Sequence, residues 1–272
     1  MSQTGTTAAA AAIDEAAARI LTAAKTGRPC APVRDLIGPD DVAAAYAVQG
    51  KVIAARTSSG STIVGRKIGL TSRAVQQQFG VVEQDSGVLL DDMAYPDGAT
   101  VPIERFLQPL VEAEVAFVLK HDLDAGDLDL DQVRASTAYV VAALEICDSR
   151  VAGWDVSIGD TVADNASAGA YVLGAERRTL TEVNPREVTM TMTVSGQQDS
   201  TGSGADCLGD PLVALQWLAK RARELGQPLR SGQLILSGSL GPMRPVTAGA
   251  EVTATISQLG TVSVRFSEGG KP

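Results

Sequence analysis

The chain has 272 residues, is 44% hydrophobic and 20% charged, and carries a formal net charge of −9. That length can bury a sizeable core as one large domain or as a small domain beside a larger one, and the composition is that of a globular protein. The acidic balance, with no cluster of Lys and Arg, excludes a nucleic-acid-binding surface, and no apolar run approaches the roughly 20 residues of a membrane helix, so neither nucleic acid nor membrane is an expected partner.

Residues 1 to about 7 read as disordered. Residues 8–26 are Ala-rich, carry Ile13, Ile20 and Leu21, and stop at Gly27, which predicts a helix. Arg28–Pro32 is a linker. Pro39-Asp-Asp-Val opens a second helix to about Ser58, with Asp40 or Asp41 at its start. From Ile63 the pattern changes, so residues 1–60 are expected as a helical N-terminal part and 61–272 as a β-rich catalytic domain, one structural unit overall. Strands are predicted at 63–70, 110–119, 140–147, 170–174, 188–194, 233–237, 251–257 and 261–266, with Gln258–Gly260 as the last hairpin turn. Helices are predicted at 72–79, 131–140 and 210–225, the last opened by Asp210-Pro211 and stopped by Gly226. Strands outnumber helices and do not alternate regularly with them. This argues for an α+β fold on a curved or closed sheet, not a doubly wound one. Ser195–Gly209 is glycine-rich but lacks the strand–glycine–helix context of a nucleotide site, and reads as a hairpin and loop.

The segment Pro109–Leu119 alternates like a strand. Val111, Ala113, Val115, Phe117 and Leu119 then share one face, and Leu110, Glu112, Glu114, Ala116 and Val118 the other. Two neighbouring carboxylates in so apolar a strand repel unless a cation sits between them, and a hard divalent ion such as Mg²⁺ or Mn²⁺ is the usual solution. Glu145, in Ala-Ala-Leu-Glu-Ile-Cys147, is a third candidate. The alternative is three unrelated surface glutamates.

Lys67 lies between Gly65 and Gly69, which on a strand leave room beside it. Desolvated near a metal it could exchange protons; otherwise it is a solvated edge-strand lysine. Asp85 is either a second acid/base or a turn aspartate beside Ser86 and Gly87. The run Asp160–Gly169 could present Asn165 and Ser167 to a ligand or be a hydrogen-bonded loop. Backbone N–H groups of Ser237–Met243 could hold a carboxylate, or form a tight turn. The single histidine, His121, sits at a strand end, which disfavours triad and zinc chemistry. Three widely spaced cysteines without CxxC, and no basic stretch before Ala8–Ala12, point to a reduced, cytoplasmic protein.

Seven segments occur in an order that resembles the 2-keto-4-pentenoate (2-hydroxypenta-2,4-dienoate) hydratases of the fumarylacetoacetate hydrolase superfamily. They are Gly65–Thr71, Gln76–Gly80, Glu112–Glu114, Ala143–Ile146, Asp160–Ser167, Cys207–Pro211 and Gly238–Met243. The resemblance spans roughly residues 30–267. It implies a mixed β-sandwich or roll with flanking helices, and Mg²⁺ or Mn²⁺ held by Glu112, Glu114 and Glu145. It implies acid/base roles for Lys67 and Asp85, and substrate contact near Ser167, with Asn165, Ser239 and Leu240 as further candidates. Ser239 stands where alanine is familiar. The activity implied is hydration of a small 2-hydroxydienoate (a 2-oxo acid tautomer) in the meta-cleavage degradation of aromatic compounds. The alternatives are a sister 4-oxalocrotonate-type decarboxylase or a non-catalytic partner subunit. A pentamer-based homo-oligomer, and association with a downstream aldolase or sister decarboxylase, are the implied assemblies.

Overall fold

The computed structural model describes residues 3–270. Three helices come first: α1 (Gln3–Thr26), α2 (Arg34–Ile37) and α3 (Val42–Ser58). The expectation of disorder over residues 1–7 is corrected for 3–7, which open α1; residues 1 and 2 lie outside the described residues. The start of α3 follows from its cap, where Asp41 accepts from the Ala44 N–H.

The strands are β1 (Ile63–Gly69), β2 (Asp85–Leu90), β3 (Ala94–Tyr95), β4 (Thr100–Val101), β5 (Pro109–Leu119), β6 (Thr137–Asp148), β7 (Ala168–Leu173), β8 (Thr189–Val194), β9 (Ser200–Ser203), β10 (Leu234–Ser239), β11 (Arg244–Pro245), β12 (Glu251–Ile256) and β13 (Gly260–Phe266). Between them lie α4 (Arg73–Phe79), α5 (Leu130–Ser136), α6 (Ile158–Ala163) and α7 (Pro211–Glu224). The larger sheet runs β2-β1-β10-β5-β6-β7-β3 with β11 also on β5, and the smaller β4-β13-β12-β8-β9. Both are mixed: in the larger β1 and β10 are parallel while β5 and β6 are antiparallel, and in the smaller β4 and β13 are parallel while β12 and β13 are antiparallel. The fold is α+β, as expected.

The alternation of β5 divides its residues between two covered faces. Val111, Ala113, Val115, Phe117 and Leu119 pack with Val252, Ala254, Ile256, Val262 and Val264 of the smaller sheet and with α7. Burying each such side chain stabilises by roughly 1.5–3 kcal/mol for the larger ones. The opposite face turns toward the site. The N-terminal helices belong there too, because Ala16, Ile20, Val33 and Val48 share a cluster with Val75, Cys147 and Met243.

Three local readings need correction. The helix expected at 131–140 ends at Ser136, because Thr137 onward pairs with the end of β5, and that ladder outweighs local helical periodicity. Asp85-Ser-Gly87 has turn composition but forms the start of β2, held in register by Gly69, Ile68 and Lys67 of β1. The start of the run Asp160–Gly169, for which a hydrogen-bonded loop is one reading, instead belongs to α6, opened by a capping box between Ser157 and Asp160.

Candidate active site

Glu112 and Glu145 sit directly opposite each other across β5 and β6, and Glu114 follows Glu112 on the same face. All three are buried, with Glu114 and Glu145 fully so. The rule that opposed strand residues touch brings the third glutamate to the pair. A bulge in β10 between Leu236 and Ser239 turns the Gly238 N–H onto Glu114 Oε2 at 2.5 Å. Gly238 has φ +102, and a Cβ there would strike Thr71, so only glycine fits this bend. The late glycine turn thus does hold a carboxylate, the chain's own.

Lys67 is buried on β1, an interior strand between β2 and β10, and is not a solvated edge lysine. Its Nζ lies 3.2 Å from Glu145 Oε1 and donates to the Ala166 carbonyl at 2.8 Å. The glycines beside it do not leave open room. A Cβ at Gly65 would strike the Leu234 backbone, and one at Gly69 would strike the Asp85 carboxylate. Glycine at 69 therefore admits Asp85 beside Lys67.

The turn after α6 aims the Ala166 carbonyl. Asn165, Ala166 and Ser167 all have positive φ, at 56°, 49° and 53°. A non-glycine residue there costs on the order of 1–3 kcal/mol, so the surroundings must hold the run in place. Asn165 does so by pairing with the β2 backbone, accepting from Val88 N at 2.7 Å and donating to Val88 O at 2.9 Å. Asp164 does so through an ion pair with Arg150. Asn165, expected at a ligand, has its amide engaged by Val88 and instead supports the turn. Ser167 is buried, faces the cavity, and its Oγ has no hydrogen-bond partner.

The other two expected substrate contacts also move. Leu240 is fully buried in the main core, its backbone bonded to Ala113 and Ser203. The Ser239 hydroxyl is spent on the Gly241 carbonyl within the turn. The Leu240 side chain thus serves the core and that of Ser239 the turn.

Burial pushes the Asp85 carboxyl up, against the pull of Lys67. Burial, then the charges of Glu145 and Glu112, holds Glu114 well above the usual carboxylate range. Glu145 is pushed up to about 7, burial outweighing Lys67. For Lys67 burial works downward, but Cys147, Glu145, Asp85 and Glu112 outweigh it and keep the ammonium charged.

One ammonium thus faces four buried carboxylates, and full ionisation leaves three negative charges uncompensated. Glu114 Oε1, both Glu145 oxygens and Asp85 Oδ1 accept no hydrogen bond of normal geometry. Oxygen-rich, over-negative and under-satisfied, the cluster has the chemistry of a divalent-cation site. Among the described residues, Glu112, Glu145 and Cys147 each offer a ligand atom within 4.8 Å of the others. Cys147 was missed by sequence reasoning, although two residues beyond Glu145 on one strand it had to share its face.

Lys67, Asp85, Glu112, Cys147, Thr161 and Ser167 are the polar side chains lining a cavity. Leu70, Val75, Phe79, Trp154, Val156 and Met243 are among its apolar lining. Its empty space is about 370 Å³, including the open mouth. Within that lining Phe79 and Trp154 pack with ring centroids 5.1 Å apart.

Residues 70–267 match the fumarylacetoacetate (FAA) hydrolase C-terminal family. The chain is 47% identical over 258 residues to a 2-keto-4-pentenoate hydratase of Paraburkholderia xenovorans, covering 93% of this chain and 94% of that one. It is 46% identical over 252 residues to the 2-keto-4-pentenoate hydratase of Burkholderia vietnamiensis, covering 93% and 96%. Its fold matches the 4-oxalocrotonate decarboxylase of Pseudomonas putida G7, solved with magnesium and adipate, with TM-score 0.88, 32% identity and coverage of 93% and 97%. No helix among the described residues is long and apolar enough to cross a membrane. The family match over residues 70–267 and the identity to these relatives over more than nine-tenths of the chain lead to one assignment: this chain belongs to the fumarylacetoacetate hydrolase family, alongside the 2-keto-4-pentenoate hydratases.

Proposed function

We propose that the chain is a hydro-lyase that adds water to 2-hydroxypenta-2,4-dienoate or a close homologue, giving 4-hydroxy-2-oxopentanoate. The observation that carries this reading is the cavity lining, which joins the charged cluster to the apolar side chains Leu70, Val75, Phe79, Trp154, Val156 and Met243. A short monocarboxylate with an unsaturated hydrocarbon tail matches that polarity. Lys67 is the one cation among the lining residues, so the second carboxylate of a decarboxylase's vinylogous dicarboxylate would find no further cation among them. The relatives' activity supports the same choice.

Glu112, Glu114 and Glu145 would hold a divalent ion, Mg²⁺ or Mn²⁺. When bound it supplies Lewis acidity that stabilises negative charge on the substrate's 2-oxygen and carboxylate. The chain's own groups move the protons. The 2-hydroxyl proton leaves and a proton is delivered to C5, giving the conjugated 2-oxo-3-enoate. Water then adds at C4, and C3 takes a proton. Asp85, buried beside Lys67, is the acceptor for the water proton. Lys67, held as an ammonium, is the donor and orients Asp85. The free Ser167 hydroxyl is the remaining polar contact for substrate. The implied pentamer-based assembly, and association with an aldolase or sister decarboxylase, are readable by sedimentation of the purified chain.

The test assays purified protein with Mg²⁺ and with Mn²⁺ on the pentadienoate and on 4-oxalocrotonate. Loss of dienoate absorbance with formation of the hydroxy-oxo acid is expected. Release of CO₂ from 4-oxalocrotonate without hydration would establish the decarboxylase. Inactivity on every 2-hydroxydienoate would favour a non-catalytic subunit.

A further inference from the structure

The acidic cluster contains one atom that hard-cation chemistry does not call for. Cys147 Sγ is buried, donates to Glu112 Oε1 at 3.4 Å and lies 3.9 Å from Lys67 Nζ. A buried cysteine ordinarily behaves as a small hydrophobe. This one faces two carboxylates and an ammonium on the cavity wall. Glu145 beside it is fully buried, its Oε2 without a partner and its Oε1 facing only the Lys67 ammonium at 3.2 Å.

We propose that this site takes thiophilic divalent ions, such as Co²⁺, Zn²⁺ or Cd²⁺, with the Cys147 sulfur as a ligand beside Glu112 and Glu145. The three ligand atoms already lie within 4.8 Å of one another, a spread that one ion can span. Carboxylate oxygens alone suit hard ions, whereas a thiolate adds affinity for softer ones. On binding, the S–H bond breaks, the sulfur lone pair goes to the ion and the proton leaves to the buffer. The consequence is a site in which a soft ion displaces Mg²⁺. The inference rests on reading the acidic cluster as an ion site and is independent of which dienoate is the substrate.

The test titrates the metal-free full-length chain with Co²⁺ and records its absorption spectrum. A sulfur-to-cobalt charge-transfer band in the near ultraviolet, saturating at one equivalent, is expected. Cys147→Ser should bind Co²⁺ through the carboxylates without that band. Calorimetry in two buffers of different ionisation enthalpy should count one more proton released by the parent chain than by the variant. If Cys147→Ser does not fold, Cys147→Ala replaces it in both measurements. Co²⁺ bound at one equivalent to the parent chain with no sulfur band overturns the role of Cys147 and leaves the ion site standing. No Co²⁺ binding at all overturns both.

Discussion

β12 of the smaller sheet and β5 of the larger sheet both alternate, but only β12 has a wet face. Val252, Ala254 and Ile256 of β12 point into the core, while Glu251 and Thr255 are exposed. On β5, Val111 through Phe117 are buried on both sides. A glutamate on β12 keeps its water and needs no partner. A glutamate on β5 has lost its water, so Glu112 and Glu114 require a proton, a cation or a hydrogen-bond donor. The same sequence period therefore means surface in one sheet and site in the other, and the difference lies in what covers the second face.

Lys67→Ala would break this contrast hardest. Its ion pair with Glu145 is buried, and removing one partner of such a pair costs about 3–5 kcal/mol. Turnover should fall by roughly 10²–10⁴-fold, the usual contribution of a general acid–base group. Rates of dienoate loss and urea unfolding of the metal-free protein give the two numbers. Turnover within tenfold of the parent would remove Lys67 from the chemistry.

Ile256→Ala acts on the dry face of β12, at a fully buried side chain. A cavity there should cost about 2–5 kcal/mol in denaturant unfolding. Well below the unfolding transition the turnover number should not change. A fall in turnover without loss of stability would show that the smaller sheet is more than a support.

A divalent ion should stabilise the chain through the larger sheet alone. At a free Mg²⁺ concentration 100 times its Kd, the gain is about 2.7 kcal/mol. Thermal melts with and without chelator measure it, and Glu114→Gln should shrink it. An equal shift in both proteins would place the ion elsewhere.

Gly69→Ala is subtler. The added methyl would meet the Asp85 carboxylate, with Lys67 Nζ close behind. Overpacking of this kind costs about 1–3 kcal/mol, and Asp85 must swing away from Lys67. The expected result is a folded protein that binds the divalent ion yet turns over slowly. Calorimetric ion binding and dienoate rates on one preparation test this; parent-like turnover would mean that Asp85's position does not matter.

How much of this was legible depended on whether a residue's partners were local. The faces of β5, the caps Asp41 and Asp210, and the turn at Gln258–Gly260 follow from neighbours within a few residues. Asp85 does not, because turn composition was overruled by pairing with β1. Asn165 stands in a polar run that suits a ligand contact or a hydrogen-bonded loop equally, and only the fold shows that Val88 occupies its amide. Leu240 and Ser239 lie in the right turn with side chains committed to core and backbone. Cys147 was within reach of the period-two rule once Glu145 was a candidate.

The smallest effect comes from an ion pair that matches Lys67–Glu145 in kind but not in place. Glu251 and Arg265 oppose each other across β12 and β13, with side-chain oxygen and nitrogen 3.0 Å apart. Both side chains are more than half exposed, at 62% and 65%. Water screens the attraction, and ordering two long side chains offsets much of what remains. Glu251→Gln should therefore cost at most about 1 kcal/mol in denaturant unfolding. That cost should shrink further as salt shortens the screening length. Dienoate turnover should not change. A loss of several kcal/mol, insensitive to salt, would mean that the outer face of the smaller sheet is covered by something in solution, such as a second copy of the chain. The wet face of β12 would then be no wetter than the inner face of β5.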